Sequence, residues 1–297
     1  MYPRPFHYHR ANSLPEAATM LSQLGDEAKL LAGGQSLIPL MKLRFATPRH
    51  LVDLNFIPGT SYIQEQDGAV QFGALTRHSE IENSSVASRF PILHDCAAGI
   101  ADVQIRNRGT IGGSLAEADP SGDWATVLLT QKTEIRCLSP RGERTVPLTE
   151  FVTDAYTTVL EHDELVREIS VQKPGIGSGG AYLAFKRSAP VYPTASAAVH
   201  VTMEGDLCKD AHIVLGCLGL VPVRATAAAD ALRQQRIDDK SIATAMDAVR
   251  EATDPQSDMR GSAEYKRTLG AALVKRAIEV AVRRARGEHV EVSHIYA

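Results

Sequence analysis

Leu30-Leu31-Ala32-Gly33-Gly34-Gln35-Ser36 and, about eighty residues further on, Gly109-Thr110-Ile111-Gly112-Gly113-Ser114 are two glycine pairs set beside hydroxyl side chains. The second runs on into Ala118-Asp119-Pro120-Ser121-Gly122-Asp123. Glycine lets a backbone approach closely, and exposed N–H groups with neighbouring hydroxyls can hold phosphate oxygens. One such turn serves many loops. Two of them in one half of a chain, the second backed by acids, point to two loops closing on one phosphate-bearing ligand.

The flanking sequence places the first pair at the end of a strand. Ser13-Leu14-Pro15-Glu16 opens a helix with a capping-box pattern, and Gly25 closes it. Ala28–Ala32 is a short apolar run expected as a buried strand, and a second short helical stretch leads to the strand His50–Leu54. Together these form a small β-α-β-α-β-like unit of roughly 50 residues. The pattern then changes. Ser61–Gln64 and Ala69–Gly73 flank Asp67-Gly68, a hairpin turn signal. Helical stretches are expected around 76–84 and 91–99. Thr133–Cys137 and Glu164–Val171 alternate as strands do.

Lys173-Pro174-Gly175-Ile176-Gly177-Ser178-Gly179-Gly180 reads as a linker. Three strands are expected beyond it, Ala181–Lys186, Ser196–Met203 and Ala211–Leu218, followed by helices Thr226–Gln234, Ser241–Thr253 and Ser262–Arg286. The last helix carries a solvated basic face. The fold class is α+β, with domains at 1–176 (lobes about 1–57 and 58–176) and 177–297.

Bulk properties narrow the function classes. The 297 residues suit about two domains. A net charge of −3 implies no general attraction to nucleic acid or anionic membrane. No apolar run approaches the roughly 20 residues of a membrane span, and the N-terminus has no apolar signal segment, so a cytoplasmic protein is expected. Cys96, Cys137, Cys208 and Cys217 are scattered, unlike a zinc or iron–sulfur site. His7 and His9 have no evident third ligand, so no metal site is expected. Gly-x-Gly-x-x-Gly after the first strand, the P-loop pattern and the Gly-x-Ser-x-Gly elbow are all absent.

Taken in order, Ala32–Ser36, Arg106–Ser114, Ala118–Asp123, Asp163–Ile169, Ala184–Arg187 with Tyr192, and Gly261–Arg267 closely resemble the FAD-binding medium subunit of molybdenum hydroxylases, the xanthine dehydrogenase and carbon monoxide dehydrogenase family. The matches run collinearly from about residue 4 to residue 285. The resemblance implies a two-lobed FAD domain of the vanillyl-alcohol-oxidase (PCMH) type, then a small domain of antiparallel strands and helices. It implies that Leu30, Leu31, Ala32, Gly33, Gly34, Gln35, Ser36 and Leu37, with Thr110, Ile111, Gly112, Gly113 and Ser114, hold the FAD pyrophosphate through backbone N–H groups and hydroxyls. Ala118 belongs to the same site, and Asp123 would accept hydrogen bonds from FAD hydroxyls. Ile100, Leu165 and Val166 would supply apolar contacts, Lys186 would sit near the cofactor, and Tyr192 would stack on the isoalloxazine ring. The chain departs from the family pattern at Gln35 (often His), Ser114 (often Asn) and Pro190-Val191 (often Gly-Asp).

The resemblance further implies an electron-transfer subunit with no catalytic residue of its own. A small subunit would carry [2Fe-2S] clusters and a large one the molybdopterin cofactor, in a dimer of heterotrimers. The electron acceptor is open among quinone, NAD, O₂ and a cytochrome, and the complex could work at the inner face of the membrane. Two rival readings remain at this level: a stand-alone FAD oxidase of the vanillyl-alcohol-oxidase type, and a non-redox module whose loops hold another nucleotide.

Overall fold

The computed structural model describes residues 2–188 and 191–292, and the backbone of 295–296. The N-terminal unit is a three-stranded parallel sheet in the order His7–Arg10, His50–Asp53, Ala28–Leu31. The helices Leu14–Leu24 and Leu37–Leu43 make the two crossovers that parallel strands require. Ser13 caps the first helix by accepting from the N–H of Glu16. The Leu54 N–H donates to the Leu31 carbonyl, so both strands end together and the first glycine pair emerges at their carboxyl edge.

The second unit is a five-stranded antiparallel sheet in the order Ile63–Gln66, Ala69–Gly73, Leu165–Gln172, Thr133–Ser139, Gly142–Pro147. Asp67 and Gly68 both have positive φ, +51° and +77°, as a tight two-residue hairpin demands. The expected hairpin and strands are present, with Gly142–Pro147 in addition. Short helices including His78–Glu82 and Pro91–Gly99 pack on each other and carry the chain to the second glycine pair.

The third sheet is built on Ser178–Lys186, Ala195–Glu204 and Leu207–Gly216, with short strands at its edges. The linker reading ran too far: Ser178, Gly179 and Gly180 are the first residues of a strand. Their glycines serve close packing, since a Cβ on Gly180 would meet Ile92 at 3.2 Å. Alternation splits the faces of this sheet. Ala181, Leu183, Ala197 and Val199 face the helices Asp239–Ala252 and Ala263–Ala285. Tyr182, Ala184 and Ala198 belong instead to the core of the preceding units. The last helix, expected from Ser262, starts at Ala263 with Ser262 as its cap, and the expected Thr226–Gln234 helix is only Thr226–Asp230. Among the described residues no helix is long and apolar enough to cross a membrane.

Candidate functional site

The two glycine loops touch. A Cβ on Gly33 would collide with the Arg108 carbonyl oxygen and lie 2.7 Å from the Gly109 Cα. Two side chains bind the loops into one frame. Asn55 Nδ2 donates to the Ala32 carbonyl at 2.8 Å, and its Oδ1 accepts from Arg77 Nη2 at 2.5 Å. The same guanidinium donates through Nη1 to the Arg108 carbonyl. Asn55 and Arg77 were not singled out in the sequence. A lone Asn after a strand and a lone Arg before a helix carry no pattern that marks them.

The loops contribute different chemistry. Gly34 has φ +72°, the left-handed conformation that turns successive N–H groups toward one side. Among the described residues, the N–H groups of Gly33, Gly34, Gln35, Ser36 and Leu37 donate no hydrogen bond. They form a run of free donors at the start of the helix Leu37–Leu43. The second loop has little to spare. Ile111 N–H donates to Thr76, Gly112 N–H to Ala74, Ser114 N–H to the Thr110 carbonyl and Gly113 N–H to Thr110 Oγ1, all at 2.9–3.1 Å. The expectation of a backbone cradle here is therefore corrected: this loop offers the hydroxyls of Thr110 and Ser114 and the N–H of Thr110. Its glycines answer to packing, for a Cβ on Gly112 would lie 2.6 Å from the Ala74 oxygen.

Both loops open on one cleft of about 900 Å³. Leu30, Ala32, Gly33, Gly34, Gln35, Ser36, Leu37, Ile100, Thr110, Gly112, Gly113, Ser114, Asp123, Leu165, Val166, Lys186 and Tyr192 line it. Three expected residues do not. Leu31 is held in the parallel sheet, Ile111 is fully buried in the core, and Ala118 turns away as a helix cap whose carbonyl binds the Tyr156 N–H. A β-bulge between Val166 and Glu168 breaks the strand's alternation just beyond the apolar wall.

The deep end of the cleft is a buried polar cluster. Asp123 accepts from the Tyr182 hydroxyl, and Lys186 donates to the Gly99 carbonyl next to Ile100. Burial raises the Asp123 carboxyl above its ordinary range, against the pull of Lys186 and of the Tyr182 hydrogen bond. Tyr192 stands at the mouth, 44% exposed. Burial and then the negative charge of Asp119 push its phenol well above the ordinary value. The Arg260 guanidinium lies 5.8 Å from the ring centroid. Pro190, one of the departures before Tyr192, lies outside the described residues; Val191 lines the cleft.

His78 is a wall residue that the sequence did not reveal. Its Nδ1 accepts from the buried Trp124 indole N–H at 3.0 Å. Burial, with Arg77 and Arg106 nearby, lowers its pKa to about 3. The ring is thus neutral at physiological pH, and an Nδ1 that accepts puts its proton on Nε2.

Residues 4–174 match the family model for the FAD-binding domain in molybdopterin dehydrogenase, and residues 180–281 match that for the CO dehydrogenase flavoprotein C-terminal domain. The chain belongs to this family of flavoproteins. It is 38% identical to the carbon monoxide dehydrogenase medium chain of Hydrogenophaga pseudoflava, across 95% of this chain and 98% of that one. It is 37% identical to the alpha subunit of the 6-hydroxypseudooxynicotine dehydrogenase complex of Paenarthrobacter nicotinovorans, across 99% and 100%. A solved carbon monoxide dehydrogenase chain from Hydrogenophaga pseudoflava, lacking the Mo-pyranopterin moiety of its cofactor, superposes with a TM-score of 0.93 at 39% identity, over 96% of this chain and 99% of that one. Membership makes the cofactor FAD, and the residues of the cleft fit it. Gly33 to Leu37, whose N–H groups are free among the described residues, line one opening with Thr110 and Ser114, and Gly33 leaves no room for a side chain between the loops.

Proposed function

We propose that this chain is the FAD-binding electron-transfer subunit of a molybdenum hydroxylase complex. Electrons arrive from [2Fe-2S] clusters on a small subunit, and the substrate is oxidised on a large molybdopterin subunit. The observation that carries the reading is the run of unpartnered N–H groups from Gly33 to Leu37 opposite the Thr110 and Ser114 hydroxyls. Such donors suit a diphosphate, whose charge needs several N–H groups at close range. FAD, when bound, takes up electrons singly or in pairs and so joins one-electron clusters to a final acceptor.

The chain's own residues bind, orient and shield. Leu30, Ala32 and Gly33 to Leu37 hold the diphosphate with the hydroxyls of Thr110 and Ser114. Leu165, Val166 and Ile100 form the apolar wall against the flat rings, and Tyr192 covers the opening. Asp123 accepts from cofactor hydroxyls, while Lys186 anchors the Gly99 turn that presents Ile100. Residues 1–176 hold the cofactor, and 177–297 close its deep side through Tyr182 and Lys186. The relatives' names support a multi-subunit assembly. We place this one in the cytoplasm as a dimer of heterotrimers, delivering electrons to a quinone, NAD, O₂ or a cytochrome.

The test is isolation of the native complex. Co-purification with a two-cluster iron–sulfur chain and a molybdenum chain, and release of FAD from this chain on denaturation, are the expected results. Reduction of the isolated, FAD-loaded chain by a small organic substrate would overturn the reading in favour of a self-sufficient oxidase.

A further inference from the structure

A second cavity, of about 620 Å³, opens between the sheet of the C-terminal unit and the preceding units. It shares no lining residue with the cofactor cleft. Its volume falls within the roughly 300–1,000 Å³ of small-molecule sites. Phe90, Ile92, Val171, Pro174 and Val290 make much of its wall apolar. Each cation lining it has a carboxylate partner: Arg284 lies 2.6 Å from Asp95, Lys173 lies 3.0 Å from Glu65, and Arg89 reaches the same Glu65. The Arg284 and Asp95 side chains are 5% and 2% exposed, so this pair is locked and leaves no free charge inside.

Among the described residues, His200 is the buried polar side chain of this lining that has no partner. It lies on the strand Ala195–Glu204, in register with His212, on the face turned away from the C-terminal helices. The residue is 7% exposed. Among the described residues neither ring nitrogen makes a hydrogen bond, and Nε2 is fully buried. Burial, and then His212, lowers its pKa to about 4. A neutral imidazole has one nitrogen that donates and one that accepts, and its two tautomers exchange those roles. Nδ1 is not among the sealed, unpartnered atoms, so it is the nitrogen that can meet the polar group of an occupant beside it.

We propose that this cavity is a second small-molecule site, taking a neutral, flat molecule of one or two rings whose single polar group pairs with His200. Among the described residues an anion would find every lysine and arginine of the lining paired, and a cation would find Asp95 engaged by Arg284 and the Tyr182 N–H and Glu288 by Arg283, which leaves only the exposed Glu291. A wholly apolar guest would leave His200 unsatisfied. The proposal does not depend on the cofactor assignment, because the two cavities are separate.

Indole is the probe, titrated into the full-length, FAD-loaded chain with ¹⁵N-labelled histidine. One histidine ring, assigned to His200 by its absence in His200→Gln, should shift saturably. Indole-3-acetate, the same ring with a negative charge, should bind at least tenfold more weakly. His200→Leu should weaken indole at least tenfold, and Val290→Trp, which fills the mouth, should abolish binding. FAD content should be unchanged in both variants. A response that never saturates, equal affinity in His200→Leu, equal affinity for the anion, or crystals soaked in indole that show only water at His200 would each overturn the site.

Discussion

A methyl group at Gly33 has nowhere to go, because the Arg108 carbonyl and the Gly109 Cα already occupy its place. Gly33→Val should therefore force the loops apart and lower FAD retention at least tenfold, or about 1.4 kcal/mol of binding. The absorbance ratio of flavin to protein after gel filtration reads it directly. Gly112→Val acts differently, since its clash is with Ala74 beneath the loop; it should lower stability as well as FAD content. Unchanged FAD content in both would sink the loop assignment. His78 bears on pH. Its pKa is about 3 in the fold against 6.5 when unperturbed, so the unfolded chain binds the proton first as pH falls. Stability is then full above pH 6.5 and declines below it by about 1.4 kcal/mol per pH unit from this group. His200, at about 4, adds a similar slope over a shorter window. His78→Gln keeps an acceptor for Trp124 and should flatten urea-derived stability against pH between 6.5 and 4. An unchanged slope would show that another group is responsible.

Among the elements, the long helix Ala263–Ala285 carries the most specific tie. Arg284 near its end makes two hydrogen bonds to Asp95 on the helix Pro91–Gly99, one to the Gly180 carbonyl and two to the Val290 carbonyl. Removing one partner of a buried pair strands the other charge, which costs about 3–5 kcal/mol. Arg284→Met should approach that loss in denaturant unfolding. The double variant with Asp95→Leu should recover part of it, because no buried charge is then left alone. The Ser262 cap is a smaller matter: Ser262→Ala should cost about 1 kcal/mol.

The whole molecule is continuous across its units. Tyr182, Ala184 and Ala198 of the C-terminal sheet belong to the core cluster of the preceding units, together with Phe72, Trp124 and Ile169. Calorimetry of the FAD-loaded chain should therefore show one cooperative transition. Two separated transitions would mean that this shared core contributes little. FAD at a thousandfold its dissociation constant should add about 4 kcal/mol to stability, by mass action on the folded state.

Much of this architecture was legible before any coordinates. Strand alternation, the Asp67-Gly68 turn, the Ser13 cap and the collinear motifs are local signals. A hydrogen bond or a φ constraint a few residues long specifies each of them, so they survive in one dimension. The linker reading failed where a glycine had a long-range reason: Gly179 and Gly180 are small because the helix backbone and Ile92 press on them. The cleft divided in the same way. That the two glycine loops belong together, as they do at one cleft, could be read from their composition and order. Which of them supplies the N–H groups could not, because the donors of Ile111 and Gly112 are taken by Thr76 and Ala74, more than thirty residues earlier. By itself the sequence determined the fold class, the family and the two loops. The tertiary structure alone decided how Asn55 and Arg77 lock those loops together, why His78 is neutral and where a second cavity lies. Each of these rests on contacts between residues far apart in the chain, and a carbonyl or an indole N–H takes its partner only once the fold has closed.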